Sequence, residues 1–98
     1  MYQDYAINEY LFHWQSQSTT SAESPTGRRY IEHAARGHTV LLFGREERHA
    51  NGLSAPYYFL GPARYFSHTG SRPMSITWRL DQPLPAKLLR RLARLAVG

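Results

Sequence analysis

Ninety-eight residues, 42% of them hydrophobic and 13% aromatic, suffice for one compact core and are too few for two, and this balance excludes intrinsic disorder. The absence of cysteine excludes disulfides and thiolate metal sites, while the lack of a run near the roughly 18 apolar residues of a span argues against a membrane segment. A formal charge of +5 and a pI near 10 suit a polyanionic partner or an acidic protein surface, and eleven of the twelve basic residues are arginine, whose fork fits phosphate and guanine.

The N-terminal stretch MYQDYAINEY lacks the basic and apolar regions of a signal peptide, so a cytoplasmic location is expected. It carries no clear period and suits an edge strand. From Leu11 the segment LFHWQS alternates, setting Phe12 and Trp14 on one face and Leu11, His13, Gln15 and Gln17 on the other. The first pair is expected in the core.

The segment SQSTTSAES follows, with six hydroxyl residues in nine, and ends at Ser24-Pro25, an N-cap with proline at the first helical position. A helix is predicted through TGRRYIEHAAR, burying Tyr30, Ile31 and Ala34 or Ala35, with Gly37 as its left-handed cap. Gly27 is expected to weaken the first turn by up to about 1 kcal/mol.

HTVLLFGRE reads as a strand from His38 to Phe43, too uniformly apolar to be an exposed edge and therefore expected at the centre of a sheet. REERHANGLSA is a loop with an Asn51-Gly52 turn signal, and PYYFLGPARYF resumes extended structure with a bend at Gly61-Pro62. HTGSRP is another turn. MSITWRL places Met74, Ile76, Trp78 and Leu80 on one face and Ser75, Thr77 and Arg79 on the other. Pro83 and Pro85 introduce AKLLRRLARLAV, with a stripe of Leu84, Leu88, Leu92 and Leu95 and another of Lys87, Arg90, Arg91 and Arg94.

The order predicts an α+β domain over residues 1–98. It is a small curved antiparallel sheet or partial barrel of about five strands, with one helix after the first strand and a C-terminal amphipathic helix.

The strings FHWQSQSTT, SPTGRRYI, PYYFLG and HTGSRPMSITWRL followed by PLPAKLL carry a resemblance over nearly the whole chain, Tyr2 to Val97. The sequence resembles the C-terminal part of the uncharacterised domain that ends bacterial DEAD/DEAH-box superfamily 2 helicases, which often also carry a phospholipase-D-like nuclease domain. The chain lacks the GKT phosphate loop, the DEAH box and the HxK motif, so neither ATP hydrolysis nor DNA cleavage carries over. The resemblance implies the end module of a longer helicase-associated domain, with helicase and nuclease domains as partners and a role in restriction or phage defence.

Three constellations suit nucleic acid. In SQSTTSAESPTGRR, the hydroxyls of Ser18, Thr19, Thr20 and Thr26, the helix start and Arg28 or Arg29 can hold a phosphate; the plainer reading is a capped helix after a solvated loop. His13, Gln15 and Gln17 project together, and glutamine can pair with the N6 and N7 edge of adenine; the plainer reading is a wet strand face. His68, Ser71 and Arg72 in HTGSRP can reach a groove or phosphate, or simply tip a hairpin. For Trp14 a core role outweighs a stacking one.

The five histidines form no familiar ligand spacing, although His33 and His38 lie five apart, and no serine sits in GxSxG. No metal, cofactor or independent enzymatic activity is expected. The C-terminal basic stripe is read as a solvated helix face. The sequence therefore points to a DNA-binding accessory module, in a sharper form a reader of modified DNA. The rival is a protein-protein docking module that regulates its parent helicase.

Overall fold

The computed structural model describes residues 4–45 and 57–93. The expected Asn51-Gly52 turn, Arg94 and Leu95 lie outside the described residues. The elements run β1 (Tyr5–Ala6), β2 (Leu11–Gln15), α1 (Pro25–Ile31), β3 (Val40–Gly44), β4 (Tyr58–Thr69), β5 (Ser75–Leu80) and α2 (Ala86–Leu92). All strand pairings are antiparallel, in the order β1-β2-β5-β4-β3, and the sheet curls into a half-barrel. The protein is thus a small α+β domain, as the element pattern predicts.

Strand parity sets the core. Phe12 pairs with Trp78 and Trp14 with Ile76 on the inner face, while Leu11, His13 and Gln15 face outward opposite Arg79, Thr77 and Ser75. Phe12, Met74, Ile76, Trp78 and Leu80 are buried, joined by Leu42, Leu60 and Ala63 from β3 and β4. Register shifts at Leu42/Phe43 and at Tyr65/Ser67 place extra residues in the ladders of β4. Such bulges bend a strand, which lets twelve-residue β4 wrap the half-barrel. Gly61, with φ 92, serves the first of them: the expected break there is a bulge within one continuous strand.

Trp78 is the hub of an aromatic cluster. Tyr30 and Tyr65 stand nearly perpendicular to it, each at a centroid distance of 6.4 Å, and Trp14 meets Tyr30 edge to face at 5.2 Å. Trp14 is half-buried against this cluster, in line with its expected core role.

Helix α1 begins where Ser24-Pro25 places it. The Ser24 hydroxyl accepts the Gly27 N–H at 3.1 Å and donates to the Ser21 carbonyl at 2.7 Å, so one side chain both caps the helix and pins the preceding loop. The helix stops at Ile31, shorter than predicted, with Glu32 as its cap and turns through Gly37, whose φ is 76. Ala34 and Ala35 are exposed, contrary to the expected burial. His33, only 4% exposed, takes the inward place instead. Its Nε2 accepts the Tyr65 backbone N–H at 3.1 Å, so Nδ1 carries the proton and donates to the His38 carbonyl at 2.9 Å. The imidazole thereby ties the turn after α1 to the bulged part of β4.

Strand β3 overturns a second expectation. It is an edge strand, with Leu42 buried and Leu41 and Phe43 exposed on the outer face. Apolarity on both sides of a strand was a sound reason to expect cover on both sides; the described residues supply only one.

At the other edge, the Asn8 side-chain oxygen accepts the N–H groups of Tyr10 and Leu11, turning the chain from β1 into β2. Leu80 N–H and Leu84 N–H donate to the Tyr10 and Glu9 carbonyls, both at 2.7 Å. This fixes the segment that delivers α2, whose Leu92 is buried together with the preceding Leu84, while Lys87, Arg90 and Arg91 stay exposed. A parallel bridge from Ala6 to Ala93 closes that side. No helix among the described residues is long and apolar enough to cross a membrane.

Candidate nucleic-acid interface

The polar segment after β2 and the turn between β4 and β5 meet at one end of the half-barrel. Arg72 N–H donates to the Thr20 carbonyl at 2.8 Å, and Ala22 N–H donates to the Ser71 hydroxyl at 3.2 Å, across a separation of 49 residues. Beneath them Ser16 is fully buried. Its hydroxyl accepts the Met74 N–H at 2.9 Å and donates to the Gln17 carbonyl at 3.0 Å. Ser16→Ala would orphan a buried amide and is expected to cost about 1 to 2 kcal/mol, measurable by urea denaturation with an unchanged slope.

Helix α1 joins the same end. Gly27 is buried, and a Cβ built there would lie 1.9 Å from the Ser21 carbonyl oxygen and 3.0 Å from Met74 Sδ. The first turn of α1 is therefore in backbone contact with the hydroxyl-rich loop and borders the residue that follows the Gly70–Pro73 turn. Arg28 and Arg29, next to Gly27, are exposed. The structure thus gathers the first and third sequence constellations at one end, through contacts that neither segment could make alone.

Not every expected donor remains available there. Pro25 has no N–H, Gly27 N–H is bonded to the Ser24 hydroxyl, and Arg28 N–H is bonded to the Ser24 carbonyl at 2.9 Å. The helix start is largely satisfied by its own cap, so the arginine side chains, rather than the first-turn amides, supply the anion-binding capacity. Thr20 is buried and contributes its carbonyl to Arg72, whereas Gln17, Ser18, Thr19, Thr26, Ser71 and Arg72 are exposed.

Arg72 adopts φ 57, the only left-handed residue other than glycine among the described residues, and its peptide bond to Pro73 is cis. A left-handed arginine costs conformational energy that surrounding contacts must offset. Here the bond to Thr20 does so.

The strand constellation is divided. Strand β2 ends at Gln15, so Gln17 belongs to the loop and not to the ladder. His13 stacks on Tyr5 at 4.6 Å, and Gln15 Nε2 donates to the Ser75 hydroxyl at 3.3 Å while its backbone N–H donates to Asp4 at 3.0 Å. Both side chains are half-buried and engaged within the protein. His68 lies on the inner side of β4, opposite Ile76, with its Nδ1 2.7 Å from the Tyr65 hydroxyl.

Two cations outside the expected set lie on the outer face. Arg64 and Arg79 are directly paired across β4 and β5; Arg79 lies over the Tyr10 ring at 5.3 Å, and Arg64 is 3.7 Å from Asp81. The alternation of MSITWRL marked Arg79 as wet, but only the pairing of β5 with β4 brings Arg64 beside it. At the far end of β4 an open cleft of about 370 Å³ is lined by Tyr58, Pro85, Lys87, Leu88 and Arg91, with Arg91 donating to the Tyr58 hydroxyl at 3.2 Å. It contains none of the residues expected at a site.

Among the described residues no group of three histidine, aspartate or glutamate side chains is placed to hold a metal ion. The sequence pair His33 and His38 is linked, but through a ring nitrogen and a backbone carbonyl.

No curated protein and no solved structure matches the chain. A family model, described as a domain of unknown function, DUF3427, matches residues 1–92, and the chain therefore belongs to the DUF3427 family.

Proposed function

We propose that this chain is a nucleic-acid-binding module, acting on DNA, that serves a bacterial helicase-nuclease in the cytoplasm. The observation that carries the reading is the junction of the hydroxyl-rich loop with the Gly70–Pro73 turn, made by Arg72 N–H to Thr20 and Ala22 N–H to Ser71. It puts exposed hydroxyls, an amide and Arg72 together, with Arg28 and Arg29 on the helix packed against the same loop. Arginine forks with flanking hydroxyls are the usual equipment for phosphate contacts, which position a protein without reading sequence. The net charge of +5 favours the encounter.

Within this reading the helicase and nuclease domains of a longer protein are the partners, and restriction or phage defence is the setting. Readout falls to Gln17, with His13 and Gln15 requiring release from Tyr5 and Ser75 before they touch a base. Discrimination of a modified base is the sharper form of the proposal.

A fluorescence-anisotropy titration with labelled duplex at several salt concentrations tests it. The expected result is an affinity that falls linearly on logarithmic axes as salt rises, with a slope of about 0.9 per phosphate contact. Absence of salt-dependent binding to either duplex or single strands removes the proposal. Equal affinity for plain and modified duplexes removes only its sharper form.

A further inference from the structure

Strand β3 presents Val40–Gly44 as an edge with no strand partner on its outer side among the described residues. Natural edges are usually short or guarded by lysine, proline or an inward charge. The opposite edge, β1, has two residues and is bridged by Ala93. The five residues VLLFG carry none of those guards. Leu41 and Phe43 are 54% and 51% exposed, and Phe59 beside them, 5.1 Å from Phe43, is 58% exposed. An apolar patch continuous with an unguarded edge marks a surface that another chain covers.

An open edge offers backbone donors and acceptors in extended spacing, so its occupant is a β-strand. We propose that this strand is the β3 of a second copy of the chain, laid antiparallel to form one sheet of two half-barrels. The sequence is self-complementary for such pairing. Centred on Leu42, the two-fold arrangement aligns all of Val40–Gly44 and sets Leu41 opposite Phe43 of the second copy twice. It brings no charged residue of the strand opposite another, which matters for a chain of net charge +5.

Two half-exposed side chains and one strand edge from each copy lie below the roughly 1,200 Å² of a standard interface, so the dimer dissociates on dilution. A two-fold axis normal to the sheet keeps both outer faces on the same side. Arg64 and Arg79 of both copies then face one way. The pairing itself does not depend on nucleic acid.

Sedimentation velocity of the full chain without nucleic acid, over a concentration series, is the test. The sedimentation coefficient is expected to rise from monomer to dimer. Leu41→Lys and Phe43→Lys, each at a half-exposed position, are expected to stay monomeric throughout with an unchanged circular-dichroism spectrum. Because the chain has no cysteine, Leu41→Cys mixed with Phe43→Cys under mild oxidation is expected to give disulfide-linked dimers, whereas either variant alone is not. A wild-type monomer at every concentration overturns the proposal, as does a dimer indifferent to both lysine substitutions. Cross-linking of the single variants but not of the mixture also overturns it.

Discussion

Gly27→Ala is expected to lower the thermal midpoint by more than about 10 °C, although helix propensity alone would favour alanine by about 1 kcal/mol. The opposing effect is larger. The new Cβ would lie 1.9 Å from the Ser21 carbonyl oxygen and 2.9 Å from its carbon, and both atoms belong to the backbone, so no side-chain rotation relieves the clash. Either α1 moves off the loop or the loop moves off the sheet, at a cost of about 3 kcal/mol or more. The second movement would loosen the Ala22 and Thr20 contacts with the Ser71–Arg72 turn. A calorimetric midpoint at or above the wild-type value would show that α1 does not sit this close to the loop.

His33→Phe is expected to destabilise the protein by about 2 to 3 kcal/mol despite keeping a ring of similar breadth at a buried position. Phenylalanine has no acceptor for the Tyr65 N–H and no donor for the His38 carbonyl. The second loss is softened because His38 is exposed and its carbonyl can turn to water; the first leaves an amide orphaned beside the bulge. His33→Gln, which offers both an acceptor and a donor, is expected to recover part of the loss. Urea denaturation of the three proteins decides the matter. Equal stability of wild type and His33→Phe would mean that the Tyr65 amide finds another acceptor.

These two residues also mark where local reading stops. Ser24-Pro25, the alternation of LFHWQS and MSITWRL, and the leucines around α2 are local signals, and each appears in the structure where the pattern puts it. Gly27 looked like a weakness of the helix because propensity considers one element at a time. Its value lies in a contact with Ser21 that only the folded loop creates. His33 entered the sequence reading only as half of a metal spacing, since nothing nearby in the chain announces the Tyr65 amide that it meets 32 residues later.

The strand order is the other long-range quantity. VLLFG was expected at the centre because both faces are apolar, and its edge position shows that burial of a strand can be left to a partner outside the chain. For the candidate site, the residue types were legible and their grouping was not. Ser71 and Arg72 reach the Ser/Thr loop only through the return of β5 beside β2, whereas His13 and Gln15 found partners in Tyr5 and Ser75 that strand parity could not reveal.

The central claim is that the end built from the loop, the turn and α1 contacts phosphate. It is tested most directly by comparing salt slopes of duplex binding for three proteins: the wild type, an Arg28→Ala, Arg29→Ala, Arg72→Ala variant, and a control lacking Lys87 and Arg90 on exposed α2. The first variant is expected to bind more weakly and to lose about 0.9 of slope for each phosphate contact removed, with the control close to wild type. A full slope in the first variant, or its loss in the control instead, would contradict this assignment of the interface.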